Sequence, residues 1–572
     1  MKSIYTLVPF FCVAGATSLN YCPFLGAVYP SPKTLCNDTA FQTVKHNISL
    51  SLDAIISGNS SLLGSTYVSN TTSLSVQIWS TSNTEPEFEY YYTSPLTKNA
   101  TTGVTEVDED TVFRIGSASK LWTVLLLLIE KGDAILSDRV VKWVPELADA
   151  AREIGDDFNR INHLDWSEVT LFELASQLSG IARDYAFGDL ITLGLDLTQD
   201  GFPQVSEVPP CGTLAAGACN RTQYLQGILQ AHPTFPTAYA PSYSNANFQI
   251  LAYALEAMTN ETYDTLLSRD LVKPLGLEHL TSTAPADKYG IIPWDAITSY
   301  WALNTGDEAP AGGLYASTKD MVKLGRAVLN STLLSPAMTR RWMKPATHTG
   351  SLTASVGAPW EIYTIPTSRA VDVYTKSGDL GSYSSMTALS PDHGVGFTII
   401  AAGNDTTAVV QTLTQAMMEM LVPALDAAAK EEAVVRFTGT YAHHGSNNKP
   451  NSSISITTDG GPGLRVEDWV NDSVDMIATI EALTGYTSTP SVRLYPTGLE
   501  SSGQVSFIAI IQQLENMSSS SDVPCTTWFQ VDSQVYGNVG VDEFLFEVDG
   551  RGDAVGLSPR ALRTVLPRVS KI

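Results

Sequence analysis

A serine stands one helical turn ahead of a lysine at Ser117-Ala118-Ser119-Lys120, between Phe113-Arg114-Ile115-Gly116 and the apolar run 121–129. Residues three apart on a helix share a face and lie within side-chain reach. A serine hydroxyl is a weak nucleophile until a neighbour takes its proton. Lys120 can take it once burial or a second cation lowers its pKa. Gly116 lets the backbone turn tightly into the helix, and the helix N-terminus brings unpaired N–H groups and a partial positive charge to the serine. The spacing suits a nucleophile with its base built in. The four-letter pattern alone recurs by chance in a chain of this length. Ser119 lies off the Lys120 face and reads as structural.

Two further elements follow in order. Tyr243-Ser244-Asn245 comes after Pro236 and Pro241 and opens an apolar stretch, 248–255. Lys376-Ser377-Gly378 closes a strand-like run, 370–375, and precedes Gly381 and a strand pair, 384–389 and 396–402. The ordered set S-x-x-K, Y-x-N and K-S-G resembles the class C β-lactamase branch of the serine β-lactamase and penicillin-binding protein superfamily, with its esterase and D-aminopeptidase relatives. Serine replaces the threonine of the family's third motif. Three flanking segments carry the same resemblance: Thr170-Leu171 through Ser179-Gly180-Ile181, Pro274-Leu275-Gly276-Leu277, and Pro310-Ala311-Gly312-Gly313-Leu314 with Ser317 and Asp320. It spans roughly residues 105–421, most of the chain.

The resemblance implies an acyl-enzyme on Ser117. Lys120 and Tyr243 share the proton work, Asn245 hydrogen-bonds Lys120 or a substrate amide, and Lys376 lowers the pKa of its neighbours and meets a substrate carboxylate. It implies an oxyanion hole from the N–H groups of Ser117 and Asp379, with Ser377 and Gly378 beside the substrate. Asp379 departs from the small neutral residue often found there. Its charge disfavours a carboxylate-bearing β-lactam or D-Ala-D-Ala peptide. The expected activity is hydrolysis of an ester, lactone or amide in a small-molecule or peptide acyl substrate. The alternatives are acyl transfer at the same site, a true β-lactamase or D-amino-acid peptidase, and a non-catalytic binding protein on this fold. No cofactor is expected, and no metal either, since His443 and His444, the one candidate metal pair, point apart on a strand.

These residues need a frame. A helical middle, roughly 118–270, lies between strand-rich flanks, which predicts a two-lobed α/β (α+β) domain of β-lactamase/transpeptidase-like fold, with one sheet built from both ends. Residues 17–104 form an extension leading into that sheet, with β-like runs at 74–79 and 88–92. Residues 105–434 form the catalytic domain, closed by a helix at 408–433 that Pro423 interrupts. Met417, Met418, Met420, Leu421 and Leu425 are candidates for its buried side, as core filling. From 435 to 572, short alternating strands with Gly/Asn/Asp turns predict a small all-β barrel-like domain, similar to the lipocalin-like domain that some relatives carry. Arg551-Gly552-Asp553 reads as a turn.

Composition sets outer limits. The chain has 572 residues, 44% hydrophobic and 16% charged, enough for two domains. A net charge of −25 argues against nucleic acid or an anionic membrane as partner. Residues 1–16 read as a secretory signal, with Lys2, an apolar stretch at 4–13 and a small-x-small site at Ala14-Gly15-Ala16. No other segment reaches a membrane-spanning length, so the protein is expected to be secreted without a membrane span. Sequons begin at Asn37, Asn47, Asn59, Asn70, Asn99, Asn220, Asn260, Asn330, Asn404, Asn451, Asn471 and Asn516. With Cys12 removed alongside the signal, five cysteines remain. Cys211 and Cys219 bracket a short loop they can close, and Cys22 pairs with Cys36 or with Cys525.

Overall fold

The structure, a computed structural model, describes residues 21–57, 69–154, 158–193, 196–205, 208–213, 216–443, 451–514 and 525–571. The signal segment with Cys12, the sequons at Asn59 and Asn516, and His444 lie outside the described residues. The chain divides into two compact units. One runs from Ser31 to Ala428; the other joins the segment ending at Pro30 to the residues from Ala429 onward.

The first unit is organised on an antiparallel sheet. Its strands are β1 (Ser73–Ser80), β2 (Phe88–Tyr92), β5 (Thr347–His348), β6 (Ala354–Val356), β7 (Glu361–Pro366), β8 (Ala370–Leu380), β9 (Tyr383–Ser390) and β10 (Val395–Ala402), with β3 (Val112–Arg114) and β4 (Tyr315–Ser317) forming a separate pair. The order β2-β1-β10-β9-β8-β7-β6-β5 seats the first two strands against the last, so the sheet does draw on both ends of the unit. Alternation along β1 sends Leu74, Val76 and Ile78 to one face and Trp79 to the other, as a pleated strand buried on both sides requires. Two helices cover the first face. Thr406–Phe437 contributes Val409, Leu413, Met417, Met418, Leu421 and Leu425 to that core, and Met420 is half-buried.

Thr39–Ile56 is the second of these helices, in a region where the sequence reading placed only strands. Its signal was present: Asp38 Oδ1 accepts the Phe41 N–H at 2.7 Å, and Phe41, Ile48, Leu52 and Ile55 recur at helical spacing on the buried side. Thr406–Phe437 runs through Pro423 as one helix, and by length and composition it is apolar enough to cross a membrane, longer than the sequence reading allowed.

In the second unit, β11 (Gly439–His443), β12 (Ser452–Thr457), β13 (Leu464–Asn471), β14 (Val474–Asp475), β15 (Ser491–Ser501), β16 (Gln504–Gln512), β17 (Glu543–Val548), β18 (Ala554–Pro559) and β19 (Leu566–Ser570) form one antiparallel sheet. Its order is β12-β11-β19-β18-β17-β16-β15-β13-β14, with β12 also paired to β13. Inward residues such as Tyr441, Ile454, Leu494, Phe507, Phe546 and Leu557 fill its core. A helix, Met476–Thr484, stands between β14 and β15, capped by Asp475 and ended by Gly485 at φ +71°.

The structure pairs Cys22 with Cys525, Cα atoms 5.5 Å apart, and Cys211 with Cys219, 4.9 Å apart. Cys36 is free and exposed, which removes the Cys22–Cys36 alternative.

Candidate active site

Three chain segments converge. Gly116–Ala118 forms a 3-10 turn that feeds the helix Ser119–Lys131, with Gly116 at φ +50°. A left-handed residue is needed there, and a Cβ on Gly116 would also press on the Asp379 backbone. Lys120 projects from the first turn of the helix, fully buried, and its Nζ donates to Ser117 Oγ at 2.9 Å and to Asn245 Oδ1 at 2.7 Å. It also donates to the carbonyl of Ala311, within the Pro310–Leu314 segment. Ser119 Oγ instead donates to Gly116 O at 2.6 Å and accepts the Leu314 N–H at 3.2 Å, a structural role.

Tyr243, Ser244 and Asn245 are held from behind by 177–184. Gln177 Oε1 accepts the Ser244 N–H at 2.8 Å and the Asn247 side chain at 2.8 Å; Asn245 N donates to Arg183 O at 2.8 Å. Asn245 Nδ2 donates to Asp184 Oδ2 at 2.9 Å, which turns its Oδ1 toward Lys120. Behind Asp184 lies Glu308. Burial and the neighbouring Asp184 charge push the Glu308 carboxyl well above the usual range, and the two share a hydrogen bond. A small cavity of about 30 Å³, with Tyr185, Tyr224, Gln249, Thr305 and Glu308 in its lining, reaches the Glu308 side of this pair, but none of Ser117, Lys120, Tyr243 or Lys376 lines it.

Lys376 arrives on β8, buried. Its Nζ contacts Glu361 Oε1 and donates to Ser377 O at 2.9 Å, while Glu361 Oε2 accepts the Ser377 N–H at 2.9 Å. Cations surround the Tyr243 ring: Arg183 Cζ at 4.8 Å, Lys120 Nζ at 5.0 Å and Lys376 Nζ at 5.4 Å from its centroid. Burial raises the Tyr243 phenol, but Lys376, Lys120 and hydrogen bonds with Ser117 and Lys120 outweigh it and bring the pKa below its ordinary value. Burial, helped by Lys376, lowers the Lys120 ammonium. Lys376 is opposite in sign: burial lowers it, but Glu361, Tyr243 and Asp379 hold it raised and charged.

Strand β8 ends against the serine turn. A Cβ on Gly378 would meet the amide nitrogens of Ser117 and Ala118, and Ser385 Oγ donates to Ile115 O at 2.7 Å. Asp379 is exposed, and its carboxylate accepts from Ser384 Oγ and Thr407 Oγ1, both at 2.6 Å.

A protein-family model described as Beta-lactamase matches residues 74–420. The chain belongs to the Beta-lactamase family. Residues 429–570 match a second model, "Beta-lactamase-like-like, C-terminal domain". A "Beta-lactamase-like protein" of Arthroderma benhamiae is 28% identical, covering 98% of this chain and 98% of that one. "Probable hydrolase M10" of a Phoma species is 25% identical, covering 73% of this chain and 69% of that one. The solved structure of a D-stereospecific amidohydrolase from Streptomyces covers 63% of this chain and 97% of its own at 18% identity, with a TM-score of 0.46.

All the site residues read from the sequence fall into this one region of the Beta-lactamase family unit. Arg183, Asp184, Gln177, Glu308 and Glu361 were not among them. Gln177 and Asp184 had one usable signal, their place in or just after the 169–181 segment. Glu361 had another, since a three-residue connection between β7 and β8 sets Glu361 across from Thr375, next to Lys376.

Proposed function

We propose that the protein is a secreted serine hydrolase that cleaves an ester, lactone or amide through an acyl-enzyme on Ser117. The observation that carries this is the hydrogen bond between Lys120 Nζ and Ser117 Oγ at 2.9 Å, in a site where both Lys120 and Tyr243 titrate below their ordinary values. Ser117 Oγ attacks the acyl carbonyl as its proton passes to the Lys120–Tyr243 pair. The oxyanion is received by the N–H groups of Ser117 and Asp379. Tyr243 returns the proton to the leaving alcohol or amine as its bond to the acyl carbon breaks. Water then attacks the acyl-enzyme and gives its proton to the same pair; the bond from the acyl carbon to Ser117 Oγ breaks, the acid leaves, and the pair returns the proton to Oγ. Lys376 maintains the field that keeps Tyr243 acidic, and Asn245 holds Lys120.

Catalysis is assigned to residues 105–434. Residues 435–572 are assigned a lipocalin-like barrel, a reading supported by the β12–β13 pairing that returns the strand order to its start. Secretion rests on the signal segment at 1–16 and on two disulfides, which persist in oxidising compartments. Glycosylation is supported by the surface position of the sequons. Asn37, Asn47, Asn70, Asn99, Asn220, Asn260, Asn330, Asn404 and Asn451 are exposed, and Asn471 is half-buried.

Intact-mass spectrometry after incubation with an activated ester, a β-lactam and a D-amino-acid amide tests the reading. A transient acyl adduct is expected on the wild type and not on Ser117→Ala. No adduct from any of these donors, nor from a serine-reactive phosphonate, would refute it.

A further inference from the structure

The Lys376 ammonium is already occupied. Its Nζ contacts one carboxylate oxygen of Glu361, and the other oxygen accepts the Ser377 N–H at 2.9 Å. Glu361 therefore clamps the side chain of Lys376 and the backbone of the next residue together. The pair is asymmetric toward solvent: the Lys376 side chain is 1% exposed and that of Glu361 28%. What an arriving substrate meets is the carboxylate. The exposed Asp379 carboxylate lies three residues further along, committed to Ser384 and Thr407. Lys376, Glu361 and Asp379 together carry one net negative charge.

We propose that Glu361 is the specificity-determining residue of this site, directing it to acyl donors that carry no carboxylate beside the scissile bond: neutral esters, lactones and amides. A substrate carboxylate would have to displace Glu361 from Lys376 and leave it as an unpaired, partly desolvated anion, or sit beside it at like-charge distance; either is costly. The sequence reading assigned this discrimination to Asp379. The geometry gives the larger share to Glu361, because Glu361 is the group seated on the cation. The inference rests on Ser117 as the acylated residue.

The test compares a phenyl ester with the 3-carboxyphenyl ester of the same acid, each rate divided by that of hydroxide hydrolysis, using the full-length chain. Wild type is expected to favour the phenyl ester by about tenfold or more in kcat/KM. Glu361→Gln keeps a hydrogen-bonding partner for Ser377 and is expected to shrink that preference about tenfold, mainly through a lower KM for the charged ester. It should also move the acid limb of the pH profile to lower pH, because the Lys376 field on Tyr243 is then uncompensated. The wild-type ratio stands without the variant should Glu361→Gln fail to fold. Equal turnover of the two wild-type reactions, or a preference unchanged in a folded Glu361→Gln, overturns the inference. So does a preference for the charged ester that Arg183→Ala abolishes, which would make Arg183 the carboxylate receptor. A chain that hydrolyses neither ester and takes no fluorophosphonate on Ser117 overturns the acyl-enzyme reading as well, a pattern distinct from equal turnover.

Discussion

A Cβ placed on Gly378 would lie 2.7 Å from the amide nitrogen of Ser117 and 2.6 Å from that of Ala118. The end of β8 is thus in backbone contact with the nucleophile turn. Only a residue without a side chain fits this contact, and in the proposed mechanism the contact sets the N–H groups of Ser117 and Asp379 to receive one oxygen. Gly378→Ala must push the two apart. We expect kcat to fall on the order of a hundredfold, with a loss of about 1–3 kcal/mol from overpacking, read by ester turnover and thermal melting. Near-wild-type kcat would detach this contact from catalysis.

In the proposed mechanism Lys376 sets the pH response. Tyr243 and Lys120 act as bases only when deprotonated, and Lys376 favours the deprotonated form of both. In Lys376→Ala that cation is lost and Glu361 is left as an unbalanced anion, so both pKa values rise. The ascending limb of kcat/KM against pH should move to higher pH by about one unit or more. A limb that stays in place would mean that neither group is the titrating base.

Asn245 is aimed by Asp184. Its Nδ2 donates to Asp184 Oδ2 at 2.9 Å, leaving Oδ1 to accept Lys120 Nζ at 2.7 Å. Asp184→Ala frees the amide to rotate and present its NH2 to the lysine. A fall in kcat on the order of ten- to a hundredfold is expected, with KM nearly unchanged. Asp184→Asn keeps an acceptor oxygen and should recover most of the loss. Equal damage from both variants would mean a packing defect.

How far the sequence could be read follows from what each feature depends on. Ser117, Lys120, Tyr243, Asn245 and Lys376 sit in three short motifs whose spacing is local, and it was the family resemblance of the ordered set that implied a shared site. The strands from 370 to 402 were legible because β-branched and small residues alternate between turn signals. Asp184 and Glu361 had only indirect signals, a neighbouring segment and a short strand connection, and Glu308 had none, because each acts through a partner distant in sequence or across a strand pair. The helix Thr39–Ile56 was obscured by its Ser/Thr content, which favours turns and caps over helix interiors, although burial of Phe41, Ile48, Leu52 and Ile55 outweighs that preference.

Acid sensitivity should come from a different cluster. Arg369, its side chain 2% exposed, bridges Asp392 and Asp426, and His393 Nε2 lies 3.0 Å from Asp426 Oδ1. Burial pushes the Asp426 carboxyl up, but the His393 hydrogen bond and the Arg369 charge outweigh it and hold it below the usual range. An unfolded aspartate titrates near pH 4, so the folded state binds fewer protons than the unfolded one as pH falls toward that value. The stability this group contributes is present above about pH 4 and is lost as pH drops through the depressed folded value. Asp426→Asn should lower stability at pH 6 by about 2 kcal/mol and flatten the decline in Tm between pH 6 and pH 3. Since Arg369 keeps Asp392 in the variant, the difference between the two Tm curves reports Asp426 together with its contacts to Arg369 and His393, and parallel curves would remove them from the acid response.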